Sequence, residues 1–166
     1  VDSSVFGCQA TYWLVALSKK VNVPMKEMTA EEYRHFMLGR ARTAKIATVF
    51  ADGRPHVAPI WFDLDGEVLV FTTGENTQKG RYIRRDGRVT LCIDDDTPPF
   101  AFVLFEGNAQ VASPTPDELL HWATRIAGRY MGSDKAEAYG KRNGVPGELL
   151  VRVTPAKIIA RTGISD

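Results

Sequence analysis

The chain has 166 residues, 44% hydrophobic and 25% charged, with 21 Lys and Arg against 20 Asp and Glu. That length suits one domain with a substantial core, and the balanced charge gives no bulk attraction to nucleic acid or a membrane surface. Cys8 and Cys92 lie far apart and suggest neither a disulfide framework nor a zinc motif, so a reduced, cytoplasmic setting is expected.

The stretch from Val5 to Val23 is partly apolar, but Lys19 and Lys20 interrupt it. It falls short of the roughly 20 residues of a membrane span. Its charges follow the apolar part, the reverse of a signal peptide. Residues 1–27 read as an N-terminal extension, either outside the native frame or a short helix for a partner surface, ahead of one domain at 28–166. Thr29-Ala30-Glu31-Glu32 is a capping box. Tyr33, Phe36 and Met37 follow at helical spacing, and that helix should end between Gly39 and Ala44.

Ile46 to Phe50 and His56 to Phe62 read as strands about a type I′ turn at Asp52-Gly53. Asp65-Gly66 gives a second turn signal before a strand from Glu67 to Thr73. Asn76 to Arg85 reads as a short helix ended by Asp86-Gly87. Further strands are expected at Arg88 to Asp94 and Phe100 to Ala112. Thr115-Pro116 with Glu118 starts a helix, with Leu119, Trp122, Ile126 and Tyr130 at three- and four-residue spacing. Ser133 is the expected cap of a further short helix. The last strand, Glu148 to Arg161, is expected to break or kink at Pro155. Strands and helices do not alternate, which favours a barrel over a doubly wound parallel sheet.

Lys79 is the leading candidate for chemistry. A lysine at the start of a short helix, near free backbone N–H groups and the hydroxyls of Thr72 and Thr73, makes an anion site. On spacing alone a solvated basic helix face is the commoner reading. Arg81, Arg84, Arg85 and Arg88 extend the basic cluster, and Arg84-Arg85-Asp86 also reads as a surface ion-pair turn. Pro59 suits an edge strand, since it donates to no ladder. Trp61 serves equally as core or as a flat platform. His56 reads as a half-buried strand histidine. His35, His56 and His121 lack metal-ligand spacing, and Asp94-Asp95-Asp96 before Pro98-Pro99 reads as a turn.

The hairpin of residues 47–62, the block from Val68 to Arg81 with Thr77-Gln78-Lys79-Gly80, and the segment Tyr82 to Cys92 resemble the split β-barrel of the pyridoxamine 5′-phosphate oxidase superfamily. Within it they resemble the branch that uses the deazaflavin coenzyme F420. The resemblance covers residues 29–161 and implies an FMN-binding split barrel (α+β) of about six to seven antiparallel strands with peripheral helices. It implies homodimers with cofactor sites at the subunit interface and the helix from Leu119 to Tyr130 reaching the other subunit's site.

Lys79 matches the phosphate-binding lysine of the family's serine-arginine-lysine-glycine pattern, and Arg81 a tail-contacting residue of the F420 branch. Thr72, Thr73, Asn76 and Gln78 would add hydrogen bonds, and Pro59, Ile60 and Trp61 would line the ring pocket. Three departures argue against true pyridoxamine phosphate oxidase activity: Gln78 replaces the arginine, Phe102 replaces a polar glutamine, and Pro155 to Arg161 lacks the arginine-rich substrate signature. The implied activity is hydride transfer from reduced F420 to an electron-poor conjugated or quinone-like molecule, with no catalytic side chain and no metal. An FMN-dependent oxidoreductase and a non-catalytic flavin- or tetrapyrrole-binding protein are the alternatives.

Overall fold

The computed structural model describes residues 25–165, so residues 1–24 of the expected extension lie outside the described residues. Eight strands and four helices run β1 (Lys26–Glu27), α1 (Ala30–Gly39), β2 (Ala44–Val49), β3 (Pro55–Ile60), β4 (Asp63–Asp65), β5 (Val68–Gly74), α2 (Gln78–Arg85), β6 (Arg88–Asp95), β7 (Ala101–Val111), α3 (Pro116–Met131), α4 (Ala136–Asn143) and β8 (Glu148–Thr162). Lys26 and Glu27, assigned to the extension from sequence, pair with Thr162 and Arg161 of β8.

All pairings are antiparallel, in the order β3-β2-β6-β7-β8-β5-β4, with β1 added to β8. β3 and β4 stand at opposite ends of this path, yet only Trp61 and Phe62 separate them along the chain. The sheet must therefore curl until its two edges meet at that corner, without closing by hydrogen bonds. The result is the expected split barrel, with eight strands where six or seven were expected. β1 and β4, of two and three residues, are too short to carry a periodic signal.

Alternate residues of the strands fill the inside. Ile46, Phe62, Leu69, Phe71, Leu91, Ile93, Val103, Phe105, Val151 and Val153 form one buried cluster. On the other face of β5 and β8, Val70 and Leu150 pack with Leu119 and Trp122 of α3. α3 thus buries its apolar stripe against the outside of the barrel, beside the corner where the sheet splits.

Local rules place most element ends. The α1 capping box forms as expected: the Glu32 N–H donates to Thr29 Oγ1 (3.3 Å) and the Thr29 N–H to Glu32 Oε2 (2.7 Å). Thr115 accepts from the Glu118 N–H (3.2 Å) at the start of α3.

Four local expectations are corrected. The first hairpin is not a type I′ turn: Phe50 N–H donates to the Arg54 carbonyl and Gly53 N–H to the Phe50 carbonyl. Gly53 has a positive φ (+89°), and Asp52 does not. That is a three-residue loop with a bulge residue at the glycine, since Asp52 would have to enter the left-handed region for type I′. The second hairpin turns at Gly66-Glu67, with Asp65 already paired to Val68. Ser133 caps nothing, because a turn from Gly132 to Lys135 precedes α4, whose N-cap Lys135 makes no side-chain cap bond. Pro155 does not break β8, and the irregularity expected there takes the form of a bulge: Gly107 pairs with Pro155 and Glu106 with Lys157, so the extra residue Ala156 is absorbed in it.

Candidate functional site

A cavity of about 430 Å³ opens where the barrel splits, between the end of β3, the end of β5 and the face of α3. This lies within the range of small-molecule sites. Its lining divides in two. Pro59, Ile60, Trp61, Ala123 and Ile126 make an apolar end; Thr72, Thr73, Thr77, Lys79, Asn143 and Glu148 make a polar one.

The polar end is built by a tight strand-to-helix turn. Thr77 is the N-cap of α2 and accepts from the Gly80 N–H (3.1 Å). Its hydroxyl also donates to the Gly74 carbonyl (2.8 Å) and lies 3.1 Å from Thr73 Oγ1. Gly80 is required by closeness: a Cβ there would stand 2.7 Å from the Gly74 carbonyl oxygen and 3.2 Å from that of Glu75. Among the described residues the N–H groups of Gln78 and Lys79 have no partner, so the first turn of α2 presents two free donors. The Lys79 ammonium also forms no ion pair there, and burial pushes its pKa down while the charge of Glu148 opposes that. A cation, two free amides and three threonines at a helix start are complementary to a phosphate-like anion.

The apolar end is braced by α3. The Trp61 ring stacks on Tyr130, with centroids 4.9 Å apart and planes 5° from parallel. Tyr130 is fixed in turn: its hydroxyl donates to the Arg42 carbonyl (2.7 Å) and accepts from the Phe62 N–H (3.3 Å). Burial raises its pKa, and burial lowers that of neighbouring Arg129. The Arg129 guanidinium donates to the carbonyls of Phe62 (3.2 Å), Arg40 (2.9 Å) and Met37. Arg125 pairs with Asp63 (2.7 Å). These contacts fasten α3 across the β3–β4 corner and hold Trp61 half-buried at the cavity wall.

Of the sequence candidates, the cavity gathers Pro59, Ile60, Trp61, Thr72, Thr73 and Lys79. Asn76, Gln78 and Arg81 stand outside its lining and are exposed: Asn76 lies in the turn before α2, and the helical period of α2 turns Gly80, Tyr82 and Ile83 inward and Gln78 and Arg81 to solvent. Pro59 lies on the edge strand β3, as expected.

The other basic residues have partners: Arg84 pairs with Glu75, Arg88 with Asp86, and Arg85 donates to the Val49 carbonyl. His56 sits in an aromatic cluster with Phe50 and Tyr82, away from the cavity. Asp94 pairs with Lys45, and Asp95 with Arg40 and Arg42. Phe102 also lies outside the lining.

Sequence reasoning missed Thr43, Ala123, Ile126, Asn143 and Glu148. Ala123 and Ile126 reach the cavity from α3 of the same chain. Nothing local marks these residues as cavity-lining: the docking of α3 and α4 brings in Ala123, Ile126 and Asn143, the pairing of β8 with β5 brings in Glu148, and the pairing of Ala44 with Ile60 sets Thr43 beside the end of β3.

The model of the pyridoxamine 5′-phosphate oxidase family matches residues 29–161. A solved structure of a conserved hypothetical protein from Mycobacterium tuberculosis is 25% identical with a TM-score of 0.71, covering 82% of this chain and 86% of that one. A solved F420 reductase is 29% identical with a TM-score of 0.57, covering 75% of this chain and 94% of that one. A heme storage protein from Vibrio cholerae has a TM-score of 0.64 at 16% identity, over 81% and 96% of the two chains, a likeness of fold alone. No curated protein sequence matches the chain.

Proposed function

Because the chain belongs to the pyridoxamine 5′-phosphate oxidase family, whose split barrel it adopts, we propose that its cavity binds a deazaflavin, F420, and that it is an F420-dependent oxidoreductase. One observation carries the reading: a single cavity with a flat aromatic wall at one end and an unpaired lysine over free helix amides at the other. A ligand with a planar ring joined to a phosphate fits that polarity. The 29% identity to a solved F420 reductase supports the choice of cofactor, and so does Gln78 in place of the second cation expected for FMN.

When bound, reduced F420 supplies a hydride for an electron-poor conjugated or quinone-like acceptor. Lys79, with the amides of Gln78 and Lys79 and the hydroxyls of Thr72 and Thr73, would hold the phosphate. Ile60, Trp61 and Ile126 would fix the ring plane and keep water from it, and exposed Arg81 would meet the acidic tail outside. We also propose a homodimer, in which a second copy covers the exposed Val49 and Val57 (42% and 61% accessible) beside the edge strand β3. Among the described residues, no helix is long and apolar enough to cross a membrane.

Parallel fluorescence titrations with F420 and FMN test the reading. F420 should bind more tightly than FMN, and Lys79→Ala should weaken F420 roughly tenfold or more, as loss of a charged hydrogen bond does. A preference for FMN moves the protein to the flavin-dependent members of the fold. Binding of neither coenzyme ends the proposal.

A further inference from the structure

Two charged side chains line the cavity, and among the described residues neither has an ion-pair or hydrogen-bond partner: Lys79 and Glu148. β5 pairs with β8 so that Gly74 lies opposite Glu148. A Cβ on Gly74 would stand 3.3 Å from Glu148 Oε1 and 3.4 Å from Thr77 Cγ2. The carboxylate therefore lies over the strand end that leads into the anion-binding turn. Burial raises the Glu148 pKa and lowers that of Lys79, and each shift is opposed by the other's charge. Both groups are partly desolvated, within range of each other's field, and not joined.

Among the described residues no further cation lines the cavity to compensate the carboxylate. Arg84, Arg85 and Arg88 are engaged elsewhere, and Arg81 is outside the lining. The lining thus carries one positive and one negative charge. That suits an anion of charge one, which Lys79 neutralises, better than an anion of charge two, whose second charge faces Glu148 in a medium of reduced dielectric.

We propose that Glu148 is a specificity-determining residue that makes the cavity select a singly charged phosphodiester over a doubly charged phosphomonoester. The inference rests on the reading of the cavity as a deazaflavin site and explains how such a site would refuse FMN. The phosphate of F420 is a diester between the ribityl chain and a lactyl group. That of FMN is a terminal monoester whose second ionisation, with a pKa near 6, leaves it a dianion above neutral pH.

The test is a fluorescence titration of the full chain with FMN and with F420 at about pH 8, where the monoester is fully ionised, for wild type, Glu148→Gln and Glu148→Ala. Melting curves establish that each variant is folded. Both variants should bind FMN roughly tenfold more tightly than wild type, with F420 affinity changed by less than about threefold. An FMN-to-F420 affinity ratio that is the same in all three proteins overturns the inference and leaves the deazaflavin site standing. A gain in the Gln variant without one in the Ala variant also overturns it, because that pattern marks a new hydrogen bond and not the removal of charge. If wild type binds neither coenzyme, or Lys79→Ala weakens neither, the reading of the site falls and the inference with it.

Discussion

The two ends of the cavity are held by different kinds of contact. At the polar end, the side-chain bonds join residues three to nine apart: Thr77 to Gly74 and Gly80, Thr73 to Thr77, Arg84 to Glu75. At the apolar end they join residues sixty-two to ninety-two apart: Arg125 to Asp63, Arg129 to Phe62 and Met37, Tyr130 to Arg42. The anion-binding turn is therefore assembled by its own segment, whereas the ring wall exists only while α3 is docked. Contacts of the second kind are lost together when an element undocks, so the two ends of one cavity should differ in local stability.

Arg129→Ala gives the largest expected effect. Three carbonyls lose a charged, half-buried donor, and stability should fall by about 3 kcal/mol, read by chemical denaturation. Hydrogen exchange should quicken in α3 and at Phe62 while the hydrogen-bonded amides of Gly80 and Arg81 in α2 keep their protection. Equal loosening of both ends would show that the anion-binding turn also depends on the docking of α3.

Thr77→Ala reverses the roles. Removing the α2 cap should cost about 1 kcal/mol and weaken anion binding, with the Trp61–Tyr130 stack unchanged in near-ultraviolet circular dichroism. A shifted aromatic signal in this variant would show that the two ends are coupled.

The smallest effect concerns pH. The Glu148 carboxyl is raised above its ordinary value of 4.5 by burial, so the folded state holds that proton more firmly than the unfolded chain does. Its contribution is fully present below pH 4.5 and is lost as pH rises through the raised value. Glu148→Gln should therefore flatten the fall in melting temperature between pH 4.5 and neutrality. An unaltered profile would mean that the carboxylate is as well solvated in the folded state as in the unfolded one.

Legibility in the sequence followed the same division. Thr29-Ala30-Glu31-Glu32 and Thr115-Pro116 announced two helices, because caps are satisfied within three residues. Lys79 at the start of a short helix announced the anion site, whereas the Thr77 cap that builds its turn appeared only in the structure. The first hairpin was found but its turn misjudged: Asp-Gly suits both a type I′ turn and a bulged three-residue loop, and the pairing of Val49 with Pro55 selected the second. Trp61 could not be assigned from sequence, since an aromatic strand residue serves core and platform alike. Tyr130, sixty-nine positions along the chain, holds the ring at the cavity wall by stacking on it.

The sequence by itself determined the starts of α1 and α3, the alternating strands, the edge character of Pro59 and the place of Lys79 at the start of a short helix. All of these are interactions that close within a few residues. Tertiary structure alone decided that Glu148 shares the cavity lining with Lys79, that Ala123 and Ile126 also line it, and that three arginines of the basic cluster are engaged while, among the described residues, Arg81 and Lys79 are not. Those facts depend on strand register, on the curl forced by the two-residue corner between β3 and β4, and on where α3 docks, and no local pattern encodes distance across a curled sheet.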